Sequence, residues 1–286
     1  MKASDYNPEQ LMACESVLLE LHRILGTIWQ HVVIVGGWVP TLLANNADTP
    51  HQGTTDIDLA LNHLLIPEDS YQKIHELLTK HGYEQNDDKA KQFQYFRYIE
   101  LANRKFTVIV DLLTGEYEVE SGKNRRHEPI QDANVLKARG VDLVFDRFEI
   151  VTISGELPNG GGTDKAECKV ASVCPIIVMK SAAMAGRLKD KDSYDLYYFV
   201  KNYPGGLASV LKAITPDIDN GLFKEAIERI KQYYESTDSS GPAWVARFLG
   251  LTDNEEIAVQ KMDVYQTMQA LLEGIDAINQ ERNNRG

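Results

Sequence analysis

The chain has 286 residues, enough for one large domain or two modest ones. Its formal net charge is −12, from 30 basic and 42 acidic residues, which argues against extended, sequence-independent DNA binding because such proteins usually present a basic face. No uninterrupted apolar stretch approaches the roughly 18 residues of a membrane span, and the N-terminus lacks the apolar core of a signal peptide. The cysteines, Cys14, Cys168 and Cys174, lack CxxC spacing and predict reduced, buried thiols in a cytoplasmic protein without a zinc site.

Apolar periodicity and turn residues predict alternating helices and strands up to residue 113. Helices are expected over residues 8–30, 38–44 and 67–80, the first beginning at Asn7 or Pro8 and the third at Pro67. Strands are expected over residues 32–35, 55–61, 93–101 and 106–113. Gly36-Gly37 and Asn103-Arg104 are expected to form turns, and residues 45–53 a polar loop.

Beyond residue 113 the pattern predicts loops and short strands, and then helices. Residues 115–128 are expected to form a polar loop, residues 142–157 two short strands and residues 159–162 a flexible glycine turn. Helices are expected over residues 175–187, 192–203, 207–214, 220–234 and 255–284. A shift in composition near residue 172 predicts a mixed α/β domain over 1–172 and a helical domain over 173–286.

Asp56 and Asp58 flank Ile57 inside the second expected strand. Residues two apart in a strand point to the same face, about 7 Å from each other, so their carboxylates repel one another. A solvated edge strand would explain such a pair. The apolar neighbours Ile57, Leu59 and Leu61 instead indicate a buried strand, where paired carboxylates need a partner. A Mg²⁺ ion is the simplest partner.

Asp111 follows Thr-Val-Ile-Val and precedes Leu112-Leu113 in the strongest β-branched run of the chain. An aspartate at the end of an apolar strand is destabilising unless it is paired, although it is also a common start for a loop. If this strand lies beside the strand of Asp56 and Asp58, Asp111 completes a trio. Three carboxylates can hold two ions about 4 Å apart, the arrangement used for phosphoryl or nucleotidyl transfer.

Gly36-Gly37 lies between the first strand and a short helix. A glycine turn at such a position lets backbone N–H groups approach phosphate oxygens closely. A purely structural tight turn would have the same sequence.

Lys180 and Arg187, seven residues apart, are expected to share one face of a helix. Two cations beside three carboxylates would bind a triphosphate. The alternative is that Lys180 and Arg187 form a solvated stripe on the surface of the helix. Asp192 and Asp195 follow, and they equally suit an N-cap with an acidic first turn.

These motifs in this order resemble the nucleotidyltransferase superfamily with the DNA polymerase beta-like palm. The matching pieces are Val-Ile-Val-Gly36-Gly37, Thr-Asp56-Ile-Asp58-Leu and Val-Ile-Val-Asp111-Leu. The stretch Lys180…Arg187-x-Lys189-Asp190-x-Asp192-x-x-Asp195-Leu is similar to a helical motif of the AbiEii-type toxins of abortive-infection and type IV toxin–antitoxin systems. The superfamily resemblance spans roughly residues 30–200 and implies an α+β fold, with a mixed β-sheet, flanking helices and a helical C-terminal region.

The resemblance also implies roles for the motif residues. Asp56 and Asp58 would bind two Mg²⁺ ions, with Mn²⁺ as a substitute, while Asp111 would bind one ion and help activate the acceptor hydroxyl. Gly36, Gly37 and Lys180 would contact the nucleotide, and Arg187 would add a phosphate contact. Asp195 would support these residues without contacting the nucleotide itself. One departure is the long connection from Gly37 to Asp56, which suggests an insertion over residues 45–53.

The leading hypothesis is a metal-dependent transfer of an NMP from an NTP to an acceptor, either RNA such as tRNA or a protein, in a toxin that would have an antitoxin partner. One alternative is a catalytically silent module that acts through a partner protein. Another is a small-molecule adenylyltransferase of the antibiotic-modifying kind. The acidic net charge fits poorly with a tRNA acceptor.

Overall fold

The structure is a computed structural model that describes residues 2–46, 48–62, 65–66, 68–101, 104–116, 127–130, 133–187 and 190–284. The chain divides into two compact units. The sheet unit comprises Tyr6–Val39 and Gly53–Ser172, and the helical unit comprises Met1–Asp5, Pro40–Gln52 and Val173–Gly286. The sheet unit therefore ends at Ser172, and the segment Pro40–Gln52 groups with the helices rather than with the strands that flank it in sequence.

The sheet unit contains one mixed β-sheet. Its strands among the described residues are β1 (Val32–Val35), β2 (Asp56–Leu61), β3 (Tyr83–Gln85), β4 (Gln94–Leu101), β5 (Arg104–Thr114), β6 (His127–Ile130), β7 (Ala133–Lys137), β8 (Phe148–Glu156) and β9 (Thr163–Ala171). They are ordered β3-β4-β5-β2-β1-β9-β8, and β7 pairs with both β5 and β6. The pairs β1–β9, β2–β5 and β5–β7 are parallel, and the other pairs are antiparallel.

Helices accompany the sheet and make up the helical unit. They are α1 (Pro8–Leu25), α2 (Trp38–Leu43), α3 (Glu68–Lys80), α4 (Val173–Arg187), α5 (Asp190–Asn202), α6 (Gly206–Ile214), α7 (Gly221–Tyr233), α8 (Ser240–Leu249) and α9 (Asn254–Asn283). A mixed sheet with flanking helices, followed by a helical C-terminal region, confirms the expected fold class. Within the described ranges, no helix combines the length and the apolar character that a membrane crossing requires.

Several predicted boundaries are wrong for identifiable reasons. The first helix ends at Leu25 instead of residue 30, because Gly26 has a φ of +51° and begins a 3₁₀ turn. Residues 142–157 form a 3₁₀ turn (Val141–Phe145) and the single strand β8, not two strands. The expected loop over 115–128 overlaps β6 from His127 onward, and Pro67 and Asn103 lie outside the described residues.

Among the described residues, five strands and helices have no counterpart in the predicted set, namely β3, β6, β7, β9 and α8. The strand β9 is polar in sequence, but its alternate residues Ala166, Cys168 and Val170 are buried, so only one face is apolar. The helix α8 begins Ser-Gly-Pro, which predicts a turn. Pro242 lies in the first turn of this helix, where a missing N–H costs no internal hydrogen bond.

One carboxylate of helix α1 accepts three hydrogen bonds from the sheet. Glu20 accepts hydrogen bonds from Arg97 Nε at 2.8 Å and Nη2 at 2.7 Å, and from the Tyr83 hydroxyl at 2.8 Å. Tyr83 and Arg97 are register partners on β3 and β4, and the guanidinium lies 5.3 Å from the tyrosine ring centroid. Burial, with the nearby Glu20 charge adding to it, raises the pKa of the Tyr83 hydroxyl, which therefore stays a hydrogen-bond donor.

We expect Glu20→Ala to lower the free energy of unfolding by about 2 to 4 kcal/mol, because it leaves a largely buried guanidinium and a buried hydroxyl without their acceptor. Glu9→Ala is the matched control, since Glu9 also lies on α1 and pairs with Arg104, but both side chains are exposed. Its cost should stay below about 1 kcal/mol. Chemical denaturation measures both, and equal costs would contradict this account of how α1 is held.

Candidate functional site

Three of the predicted site residues share one face of the sheet. Asp58 on β2 is the register partner of Asp111 on β5, and Asp111 is in turn the partner of Gln94 on β4. Side chains of directly opposed residues on neighbouring strands point to the same side of a sheet. Asp58, Asp111 and Gln94 therefore form a row across the sheet. Asp56, two residues before Asp58, faces the same way. The sheet therefore brings Asp56, Asp58 and Asp111 to one face.

The burial pattern explains why the aspartates take that face. Ile57 and Leu59 are fully buried, whereas Asp56 and Asp58, which alternate with them along β2, are half-buried. β2 lies between β1 and β5, so the alternative of a solvated edge strand is wrong. Asp111 lies inside β5 rather than at the start of a loop, so that alternative is also wrong.

Two of the carboxylates are held by neutral donors. The Thr54 hydroxyl donates a hydrogen bond to Asp56 Oδ1, and Gln94 Nε2 donates one to Asp111 Oδ1 at 2.9 Å. Neither donor was identified from the sequence. The β4–β5 register places Gln94 beside Asp111, whereas Thr54 lies two residues before Asp56 in the chain.

Gly36 lies directly against Asp58. Asp58 is the register partner of Val35, the residue before the turn, and Gly36 has a φ of +69°. A methyl carbon placed on Gly36 would lie 1.9 Å from Asp58 Oδ2, which is far inside van der Waals contact. Glycine is therefore required at position 36 both by the backbone conformation and by the carboxylate. The turn and the second strand motif form one local structure.

The donor set suits a hard divalent cation, because carboxylate oxygens are the ligands that Mg²⁺ prefers. The missing Cβ of Gly36 leaves room for the Asp58 carboxylate beside the turn. Among the residues that the structure describes, no group of three histidine, cysteine, aspartate or glutamate side chains is arranged to hold a metal ion. The three aspartates thus share a face without surrounding one point.

Lys180 lies on α4 in the helical unit, and its ammonium group is buried between two carboxylates. Its side chain is 7% exposed, and Nζ lies 3.0 Å from Asp192 Oδ1 and 2.6 Å from Asp195 Oδ2. Lys191 Nζ donates to both oxygens of Asp195 at 2.9 Å. The alternative in which Lys180 belongs to a solvated stripe is therefore wrong. Arg187 ends α4, and its side chain lies outside the described residues, as does Lys189.

Asp192 and Asp195 lie inside α5, which begins at Asp190, so Asp192 is a first-turn residue rather than an N-cap. Burial alone would raise the pKa of Asp195, but the Lys180 and Lys191 cations outweigh it and hold the pKa well below its usual range. Burial alone would lower the pKa of Lys180, but the Asp195 and Asp192 carboxylates outweigh it and raise the pKa. Both groups therefore stay charged at neutral pH.

His51 completes this cluster and was missed from the sequence, where it is an isolated histidine in a polar segment. Its Nε2 lies 2.9 Å from Asp195 Oδ1, and its Nδ1 lies 3.0 Å from Thr41 Oγ1. Because the Asp195 carboxylate can only accept, the ring proton is on Nε2, and Nδ1 accepts from the Thr41 hydroxyl. Burial lowers the pKa of His51 against the opposing effect of Asp195, so the ring is neutral at pH 7.

Comparison with solved structures shows a distant likeness. The chain is similar to a solved structure described as an antigenic nucleotidyltransferase-like protein from Paracoccidioides brasiliensis, at 16% sequence identity and a TM-score of 0.44, over 82% of this chain and 94% of that chain. No protein-family model matches the chain, and no curated protein matches it. A likeness this distant carries no functional argument, so the assignment of function depends on the residues of this chain.

We expect Gly36→Ala to lower the free energy of unfolding by roughly 2 to 5 kcal/mol, because the new methyl group overlaps Asp58 and the backbone is in the left-handed region. Gly186→Ala on α4 is the control, since a methyl group there meets nothing within 4 Å. That change should be neutral or stabilising by up to about 1 kcal/mol. A Gly36→Ala protein with wild-type stability in urea would show that Asp58 does not lie against the turn.

His51 should make stability fall as the pH drops below about 6.5, because the unfolded histidine takes up a proton that the folded, buried ring does not. The slope contributed by one such group approaches about 1.4 kcal/mol per pH unit. His51→Gln, which keeps a donor and an acceptor at this position, should flatten the slope between pH 7 and 5. The exposed His81→Gln controls for loss of a histidine, and an unchanged slope in His51→Gln would refute the assignment.

Proposed function

We propose that the protein is a metal-dependent nucleotidyltransferase that moves an NMP from an NTP to an acceptor hydroxyl and releases pyrophosphate. The observation that carries this proposal is the cross-strand pair Asp58–Asp111 on interior strands, with Asp56 on the same face and Gly36 packed against Asp58. Three carboxylates on one face of the sheet offer the oxygen ligands that a divalent metal prefers. A triphosphate would bring such a metal to this face and share its coordination.

In this proposal Asp56, Asp58 and Asp111 hold two Mg²⁺ ions, for which Mn²⁺ can substitute. When bound, the metal neutralises charge on the triphosphate and on the departing pyrophosphate. Mg²⁺ is usually held by one or two carboxylates together with substrate phosphates, so the aspartates need not surround one point before the nucleotide binds. The acceptor oxygen forms a bond to the α-phosphorus as the bond to pyrophosphate breaks, and Asp111 accepts the hydroxyl proton.

Gly36 and Gly37 are proposed to let the triphosphate approach the backbone at the end of β1. Lys180 and Arg187 are predicted to contact the nucleotide, with Asp195 as the group that orients Lys180. The Lys180 ammonium stays charged, as a phosphate contact requires. A phosphate oxygen would replace Asp192 or Asp195 as one of its partners.

The acceptor and the biological role are proposed from the resemblance of the Lys180–Asp195 stretch to the AbiEii-type toxins. On that basis the acceptor is an RNA such as tRNA, or a protein, and the protein is a toxin with an antitoxin as its partner. Three buried cysteine thiols support a cytoplasmic location, because disulfides are rare there.

A catalytically silent module that acts through a partner protein is the second candidate. Its support is that no three potential metal-binding side chains among the described residues are already gathered around a common point. A small-molecule adenylyltransferase would use the same residues as the leading proposal. It differs only in the acceptor, which a screen of RNA, protein and small-molecule acceptors identifies.

The test is transfer of label from each α-³²P-NTP to cellular RNA, protein and small molecules with Mg²⁺ or Mn²⁺. We expect Asp58→Asn to reduce transfer by on the order of 100-fold or more, because it removes charge stabilisation from the reacting phosphate. Asp146→Asn is the matched control, since Asp146 is an exposed aspartate of the same unit. Metal-dependent NTP binding without transfer to any acceptor would instead favour the silent module, and equal transfer by wild type and Asp58→Asn would refute the proposal.

A further inference from the structure

A chain of hydrogen bonds leads from the backbone to Asp111. The Asp88 N–H donates to Asn86 Oδ1 at 3.0 Å, Asn86 Nδ2 donates to Gln94 Oε1 at 2.9 Å, and Gln94 Nε2 donates to Asp111 Oδ1 at 2.9 Å. The backbone supports the same arrangement, because Asn86 N donates to Gln94 O at 2.9 Å. All four residues belong to the sheet unit.

The donor-to-acceptor direction of this series of hydrogen bonds is fixed by its first donor, the Asp88 N–H. A side-chain amide can normally be turned end for end, so that its oxygen and nitrogen exchange places. Here a backbone N–H, which can only donate, holds the oxygen of Asn86 and leaves its NH₂ group facing Gln94. Gln94 must therefore present its oxygen to Asn86 and its NH₂ group to Asp111. Each amide orients the next one.

We infer that Asn86 and Gln94 are positioning residues for Asp111, and that together they keep a hydrogen-bond donor aimed at its Oδ1 oxygen. This inference rests on the proposed function. A carboxylate that binds a metal needs a fixed orientation, and groups that hydrogen-bond to metal ligands provide it. With Oδ1 held by Gln94, the carboxylate plane of Asp111 is set relative to Asp58, its neighbour in the row across the sheet.

Asn86 also has a local structural role, because its contact with Asp88 N is an Asx turn. Aspartate can make the same turn with one oxygen, but its second oxygen can only accept. Asn86→Asp therefore keeps the turn but removes the donor that holds the Gln94 oxygen. Residue 86 and Asp111 then compete for the Gln94 NH₂ group, which is no longer held on Asp111, and when the amide turns round its oxygen repels the Asp111 carboxylate. A purely structural role predicts that Asn86→Ala is the worse change, whereas a positioning role predicts that Asn86→Asp is worse.

The experiment titrates the purified full chain with Mn²⁺ at a fixed concentration of a non-hydrolysable NTP analogue. Free Mn²⁺ is followed by electron paramagnetic resonance against the analogue without protein, and thermal unfolding is measured alongside. We expect Asn86→Asp to weaken Mn²⁺ binding by about 10- to 100-fold at an unchanged Tm, and Asn86→Ala to weaken it less. Ala90→Asp is the control for added charge, since Ala90 is exposed on the same connection between β3 and β4. It should bind Mn²⁺ as the wild type does.

Asp58→Asn separates this inference from the proposed function. If Asp58→Asn binds Mn²⁺ as tightly as the wild type, the proposed metal site itself is wrong. If Asp58→Asn weakens binding but Asn86→Asp does not, or if Ala90→Asp weakens it equally, only the positioning role is overturned. Should Asn86→Asp lower the Tm by more than a few degrees, Gln94→Met replaces it. That variant removes the donor to Asp111 at similar volume, and wild-type Mn²⁺ affinity in it would overturn the inference.

Discussion

The parallel register between β2 and β5 is the constraint on which the candidate site depends. It sets Asp58 beside Asp111 and pairs their buried neighbours, Ile57 with Val110 and Leu59 with Leu112. A shift of either strand by one residue would turn its apolar side chains to the other face, so burial of those residues fixes the register. The same force that builds the core therefore determines where the carboxylates lie.

The carboxylates of the two units have different surroundings. In the helical unit two ammonium groups, Lys180 and Lys191, face two carboxylates, Asp192 and Asp195, and His51 remains neutral, so the charges of these four groups balance. In the sheet unit Asp56, Asp58 and Asp111 share one face, where Thr54 donates a hydrogen bond to Asp56 and Gln94 donates one to Asp111. Three carboxylates on one face offer the oxygen ligands that a divalent metal prefers, so the proposed metal belongs to the sheet unit.

The sequence predicted what local patterns encode. Strands β1 and β5 were found because they are continuous apolar or β-branched runs, and the common face of Asp56 and Asp58 follows from the two-residue period of a strand. The strand β9 was missed because its outer face is polar. His51 could not be assigned because its partner Asp195 is 144 residues away. The contact between Gln94 and Asp111 would have been easier to predict from the sequence. It follows from the register of β4 and β5 once Leu101 is placed opposite Arg104.

The helical unit takes in Pro40–Gln52, a segment that lies between two strands of the sheet unit in sequence. During synthesis this segment leaves the ribosome long before α4 and α5, so the hydrogen bond between His51 and Asp195 cannot form until Asp195 has been made. The sheet is also incomplete until β9 has been made, because Ile34 of β1 pairs with Val170 of β9. Neither unit can complete its fold from the first half of the chain, and contacts of such long sequence separation form slowly. Apolar strands such as β1 are therefore made long before their partners, and apolar segments exposed in this way are the kind that chaperones bind.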